Sequence, residues 1–544
     1  PVSPTACASE SCSPSVATSC MSASHGCTPS VRSSIPDPVG RWVCMLTNWE
    51  VIATKVQILS KLKNKYKNSI LNNSYNTPSA KKNLNLYVGN SASSKKDIYL
   101  PEKSLCQNIL ITGSIGTGKT SSAMYPFTEQ LISNSNNIPM LILDVKGNYY
   151  LKVQEFCQKY NRSCDLIVLE LNGKFKYNPL HKPNLKASVL ADRLKNILLL
   201  FSPNNSESFW IDKAEQVLTE AIKLCRLYNN SYVTFDEIHK LITFENYYKE
   251  KISILRKLFL DNYFTNAQIY DLLSSLIFFE KEFYALDSRT IAILKSEITR
   301  ITNCFISDYS VYNTFCPKIE ELNFLGFTDV LSSGKIVVLN LNISEYKNLA
   351  KIIAAYLKLD FQTEVMNRLA FNPSNNFVPV AFISDEYSEY CTVSDSQFFS
   401  QSREAKCINI IATQSYTSLL NALNSQYAVQ VIIQNLVNKL WFRTDDMFTI
   451  EDAQKQIGKE DKQKISKNIS ENAKETYYNY LTGSLNSSNS SIAESINTYF
   501  QTDYIYDTNY FTRNLENFSC LAFLSDGNKI ISPQKILLKP YFKN

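Results

Sequence analysis

Apolar residues in this chain fall into two patterns. Short apolar runs of β type occur at 108–112, 140–144, 165–170, 335–341, 379–384, 408–413, 438–443 and 519–524. Several are apolar throughout rather than alternating, which is how strands covered on both faces read. Between them, from residue 105 onward, lie longer stretches with helical spacing. This alternation predicts an α/β fold built on a doubly wound, mostly parallel sheet. From 185 to 318 no strand pattern intervenes, and residues such as Ala214, Val217, Leu218, Ala221 and Ile222 recur at helical intervals. We therefore expect an all-helical domain over 185–318, inserted into an α/β domain formed by 101–184 and 319–544.

Residues 1–45 break with this pattern. The first 40 are rich in Ser, Pro and Cys, contain no Lys and do not begin with Met, so a disordered tail is expected there. A basic segment follows over 46–100, with Lys61, Lys63, Lys65, Lys67, Lys81, Lys82, Lys95 and Lys96. A solvated charged surface accounts for it. Contact with acidic lipid headgroups or a DNA backbone is the alternative.

Composition narrows the class. With 544 residues, 44% apolar and 19% charged, the chain is globular and long enough for two or three folded units. A net charge of +6 suits a polyanionic partner without demanding one. Of the fourteen cysteines, Cys7, Cys12, Cys20, Cys27 and Cys44 crowd the first 44 residues. The remainder, such as Cys225, Cys304 and Cys520, sit in apolar runs and read as small buried hydrophobes of a reduced, cytosolic body. No C-x-x-C pairing suggests a zinc site. No uninterrupted apolar stretch approaches the ~18 residues of a membrane span, Trp42 to Leu59 being broken by Asn48, Glu50, Lys55 and Gln57. The three histidines, His25, His181 and His239, lie away from the strand ends, which leaves little for a His-based metal or nucleophile site.

The candidate chemistry gathers where strands end. Gly113-Ser114-Ile115-Gly116-Thr117-Gly118-Lys119-Thr120 matches G-x-x-x-x-G-K-[ST] in full, between a strand and a helix start. The glycines let backbone N–H groups of Gly113, Ser114, Gly116, Thr117 and Gly118 turn inward around phosphates. Lys119 would add a full charge at the β- and γ-phosphates of ATP, and Thr120 a hydroxyl ligand for Mg²⁺. The run ending at Ser384 is followed by Asp385-Glu386, the expected Mg²⁺ carboxylate and general base. Asp144 and Lys146 follow a third strand. Gln414 follows a fourth and can contact the γ-phosphate or its water, a capping role being the alternative. Arg403 could serve a neighbouring subunit as an arginine finger or form a surface ion pair.

The order of these motifs resembles the type IV secretion coupling proteins of the TraG/TraD class, over roughly residues 100–542. Leu143-Asp144-Val145-Lys146-Gly147 is similar to that family's Asp-Pro-Lys-Gly segment, with Val145 for Pro. Tyr177-Asn178-Pro179-Leu180, Phe209-Trp210 with Ala214, Leu286 to Thr290, and Phe315-Cys316-Pro317 follow its pattern through the helical region. Most specific are Ser384-Asp385-Glu386-Tyr387, then Ser402 to Cys407, Ala412-Thr413-Gln414-Ser415 and Gly458-Lys459-Glu460-Asp461. The resemblance implies a RecA-like ATPase domain and a homo-hexameric ring at the cytoplasmic face of the membrane. It also implies sequence-independent translocation of single- or double-stranded DNA, with a relaxase or secreted protein and the other secretion components as partners. The family's usual membrane-anchoring helical pair is not visible, and a secretion-assembly, FtsK/HerA-like or packaging ATPase, or a nucleotide-gated adaptor, are the competing readings.

Overall fold

The computed structural model describes residues 84–144, 146–200, 208–341, 343–346, 348–371, 377–472, 476–487 and 491–543. The expected tail at 1–45, most of the basic segment at 46–100 and Val145 lie outside the described residues. Of the basic stripe, Lys95 and Lys96 are seen, exposed in a turn.

The described residues form fifteen strands in chain order. They are β1 (Asn85–Ser91), β2 (Asp97–Pro101), β3 (Ile109–Thr112), β4 (Met140–Leu143), β5 (Leu166–Leu169), β6 (Ile336–Leu339), β7 (Val380–Ser384), β8 (Cys407–Thr413), β9 (Asn438–Trp441), β10 (Lys459–Asn472), β11 (Thr476–Asn479), β12 (Ser484–Ser487), β13 (Ser491–Tyr504), β14 (Ser519–Phe523) and β15 (Gln534–Leu537). An eleven-stranded sheet runs β2-β1-β15-β14-β9-β3-β8-β7-β4-β6-β5. From β9 to β5 every pairing is parallel. From β9 to β2 every pairing is antiparallel. The expected doubly wound, mostly parallel α/β sheet is thus present, and each of the eight apolar runs forms one of its strands.

The reason several of these runs are apolar throughout is visible in the packing. Along β4, Leu141 and Leu143 enter one core while Met140 and Ile142 enter another on the opposite face. Strand side chains alternate with period two, so a sheet covered on both faces buries every position.

Among the described residues between β5 and β6 the regular elements are helices, apart from an isolated bridge of Tyr177 with Phe324. Several of these helices begin on polar caps that satisfy their first N–H groups. Thr265 forms a capping box with Gln268, and Asp287 accepts from the N–H groups of Arg289 and Thr290. Their apolar faces join the core beneath β4, β7 and β8. The junction is polar and buried. Asp360, on the helix Asn348–Phe371, takes Lys182 and Arg193, each at 2.8 Å, and accepts from the Tyr177 hydroxyl at 2.7 Å. Among the described residues, no helix is long and apolar enough to cross a membrane.

A further feature has no counterpart in the sequence reading. β10 and β13 form a two-stranded antiparallel ribbon of fourteen residues per strand, followed outward by the β11–β12 pair. It lies between the helix Met447–Ile457 and β14 in the chain, outside the main sheet.

Candidate functional site

The parallel strands β3, β4, β7 and β8 all end at one edge, and the sequence-predicted site residues converge there. The loop after β3 is strung between the two strands that flank it: Gly113 N donates to Gln414 O at 3.2 Å, and Ser114 N to Arg443 O at 2.8 Å. Two of its positions admit only glycine. Gly113 has φ +154°, and a Cβ there would stand 2.6 Å from that of Phe442. Gly118 has φ +97°, and a Cβ there would stand 2.5 Å from the Phe518 ring. Gly116 also takes a positive φ. Thr117 Oγ1 donates to Ser114 O at 2.9 Å and closes the loop. Lys119 is buried and its ammonium donates to the carbonyls of Gly113 and Ser114. Burial lowers its pKa, and the carboxylates of Glu386 and Asp385 only partly oppose this.

Thr120 opens a wide first turn that continues into the helix Tyr125–Ile132. Its Oγ1 donates to Asp385 Oδ2 at 2.9 Å. Asp385 is 2% exposed, and its pKa is pushed up to about 6 by burial first, then by the charges of Asp144 and Glu386. A carboxylate held in such an environment, paired with a hydroxyl, suits a hard divalent cation. Mg²⁺ typically takes one or two protein oxygens and completes its shell with water and phosphate.

Glu386 takes a left-handed backbone conformation, φ +53°, which costs on the order of 1 kcal/mol or more and turns its side chain along the edge. There Gln414 Nε2 donates to its carboxylate at 3.4 Å and Lys146 Nζ stands 4.0 Å away. Asp144 is close by, but its carboxylate is occupied in a turn, accepting from the backbone N–H groups of Lys146, Asn148 and Tyr149. From that segment it is Lys146 that reaches the Glu386 carboxylate. Arg403 is elsewhere. It precedes β8, at the amino ends of the strands, and lines a cavity of about 440 Å³ with Glu102, Lys103 and Lys406.

Sequence reasoning missed what holds Glu386 in place. Behind it, Asp395 is fully buried and gathers the Tyr387 hydroxyl, Thr392 N at 2.9 Å, Gln362 Nε2 at 2.9 Å and Lys358 Nζ at 2.5 Å. The Tyr390 hydroxyl pairs with Ser384 Oγ at 2.9 Å and donates to Asp385 O and Leu143 O. Both tyrosines follow Glu386 within four residues and both are anchored, so the strained residue just before them has little freedom. A Lys inside the apolar helix Asn348–Phe371 was the one available signal.

The strand order β3-β8-β7-β4, with the phosphate loop on β3 and the paired acids on β7, is that of a RecA-like α/β fold carrying a P-loop motif. Residues 379–498 match the family model described as the TraM recognition site of TraD and TraG. No curated protein matches the sequence. Among solved structures, the bacterial conjugative coupling protein TrwBdeltaN70 in complex with sulphate is similar over 85% of this chain and 96% of its own, with a TM-score of 0.54 at 12% identity. The plasmid coupling protein TrwB in complex with ADP and Mg²⁺ is similar over 83% and 89%, with a TM-score of 0.54 at 11% identity. The same protein in complex with a non-hydrolysable ATP analogue is similar over 85% and 96%, with a TM-score of 0.53 at 12% identity. The chain is thus similar to the TraG/TraD-class coupling proteins of type IV secretion, in sequence over 379–498 and in fold over most of its length.

Proposed function

We propose that this chain hydrolyses ATP with Mg²⁺ and uses the energy to pass DNA, with its bound relaxase, into a type IV secretion machine. The observation that carries the reading is the convergence of Lys119, Thr120, Asp385, Glu386 and Gln414 at one edge of a RecA-like sheet. Lys119 neutralises the β- and γ-phosphates, and the N–H groups of residues 113–120 cradle them. Thr120 and Asp385 would hold Mg²⁺, whose charge would offset that developing on the phosphoryl oxygens. Glu386 takes the proton of the attacking water, and Gln414, hydrogen-bonded to it, orients that water and responds to loss of the γ-phosphate. Asp144 shapes the neighbouring turn and adds negative charge beside Asp385.

The helical region between β5 and β6 is read as a domain inserted into the ATPase, and the working form as a homo-hexamer at the cytoplasmic side of the membrane. DNA contact in such a motor falls on phosphates and is sequence-independent. The segment 379–498, similar to a recognition site of TraD and TraG, supports a docking role toward relaxase-associated partners on the same half of the chain.

Steady-state ATP hydrolysis by the full chain, with and without single-stranded and duplex DNA, tests the reading. DNA should raise the rate several-fold. Lys119→Ala and Glu386→Gln should each lower it by about a hundredfold or more. Hydrolysis indifferent to any DNA would move the substrate from DNA to protein.

A further inference from the structure

The arrangement of the phosphate loop has a direction. The γ-phosphate must lie toward Asp385, Glu386 and Gln414, on the β8–β7 side of β3. The rest of the nucleotide then leaves on the other side, where β9 and β14 flank the loop. The chain places a cluster of aromatic side chains there. Phe518, just before β14, lays its ring against Gly118, and its N–H donates to Thr117 O at 3.0 Å. It does so at φ +63°, a conformation that a bulky side chain adopts only under constraint. Its carbonyl accepts from Leu538 N at 2.9 Å, and further along Tyr541 N donates to Ser121 O, also at 2.9 Å. The segment after β15 is therefore strapped by its backbone to the residue that follows the Lys119-Thr120 pair.

That strap carries Tyr541 and Phe542. The Phe542 ring stands 5.9 Å from Phe518, nearly perpendicular to it, and 5.4 Å from Tyr541. Tyr541 in turn meets Tyr125 edge-on at 5.2 Å. Despite these neighbours Phe542 is 56% exposed, an open aromatic face beside a phosphate site. Lys543 lies over the Phe518 ring, and Arg443 donates to Asn517 next to it. A strained aromatic fastened to a phosphate loop, paired with an exposed one, has the makings of a stacking surface for a flat π-system.

We infer that Phe542, buttressed edge-to-face by the anchored Phe518, presents the stacking platform for the nucleobase of the bound nucleoside triphosphate. The inference rests on the P-loop reading above and adds the half of the ligand that no motif addressed. Stacking engages the face of a base rather than its edge, so the platform distinguishes a nucleotide from bare triphosphate and is tolerant of which purine it holds.

Calorimetric titration of the full chain with Mg²⁺-ATP and with Mg²⁺-tripolyphosphate tests this, in wild type, Phe542→Ala and Phe518→Asn. Asn keeps the left-handed backbone while removing the ring. Both variants should lose about tenfold in ATP affinity and keep their affinity for tripolyphosphate. Unchanged ATP affinity in Phe542→Ala overturns the proposal, as does an equal fall for both ligands. Phe542 is exposed, so this arm stands even where Phe518→Asn perturbs folding. Lys119→Ala separates the two readings. It should abolish binding of both ligands, and wild-type affinity there would break the P-loop reading whatever the aromatic variants do.

Discussion

The edge of the parallel sheet and the β10–β13 ribbon are built from the same backbone hydrogen bonding, yet they are held in opposite ways. At the sheet edge, each strand is flanked by two others and covered by cores on both faces. The loops that leave it inherit fixed positions. In the ribbon the strands have only each other. Ile465, Ile469, Ile496 and Phe500 share one face by register and are 57–73% exposed. Its charges pair across the ribbon, Lys464 with Asp503 at 2.6 Å and Lys467 with Glu494 at 3.2 Å. Such exposed pairs contribute little. A site that must hold a strained Glu386 needs the first kind of support, and an element of the second kind can change its sequence at small cost to the fold.

If that contrast is right, the largest effect should come from the support behind Glu386. Asp395→Ala would leave Lys358 buried without its partner, costing about 3–5 kcal/mol in denaturant unfolding. Tyr390→Phe, which removes the hydroxyl from Asp385 O and Leu143 O, should lower kcat for ATP while nucleotide affinity holds. A stability loss under 1 kcal/mol for Asp395→Ala would undo the claim that the edge is rigidly supported.

A middle-sized effect is expected at the sheet, where β9 buries Lys439. Burial brings its pKa down from 10.5 to about 8, the charge of Asp452 only partly opposing this. The folded state thus binds fewer protons than the unfolded chain between about pH 8 and 10.5, so wild-type stability from this group rises with pH across that window. Below it the buried charge is a cost. Lys439→Met should therefore stabilise the protein by about 1–3 kcal/mol at pH 7, with the advantage shrinking toward pH 10.5. Thermal melts of both proteins across that range would read it.

The smallest effect belongs to the ribbon. Replacing Ile465, Ile469, Ile496 or Phe500 singly by Thr should change stability by no more than about 0.5 kcal/mol. A drop of several degrees in Tm would mean that this face is packed, and the contrast between the two regions would fail.

How much of this could be read before folding differs from element to element. The eight apolar runs all became strands, because a buried parallel strand writes its environment into consecutive residues. β1, β2 and β15 escaped because polar residues such as Asn85, Asn90, Asp97, Gln534 and Lys535 interrupt them and leave no apolar run to read. The ribbon escaped because its alternation is diluted by Lys, Ser and Asn on β10 and by Ser, Asn and Thr on β13, so periodicity alone does not separate it from loop. The P-loop was legible since its chemistry is packed into eight consecutive residues. Asp144 was legible as a strand-end acid, but the turn it caps was not.

The sequence by itself therefore determined the parallel α/β sheet, the phosphate loop and the acidic pair after β7. These depend on local periodicity and on residue types at fixed spacing. Only the tertiary structure decided that Thr120 meets Asp385, that Asp395 anchors Tyr387 behind Glu386, and that Phe518 closes on Gly118. Those contacts join segments far apart in the chain, and nothing in the spacing of one segment encodes which distant residue will be packed against it.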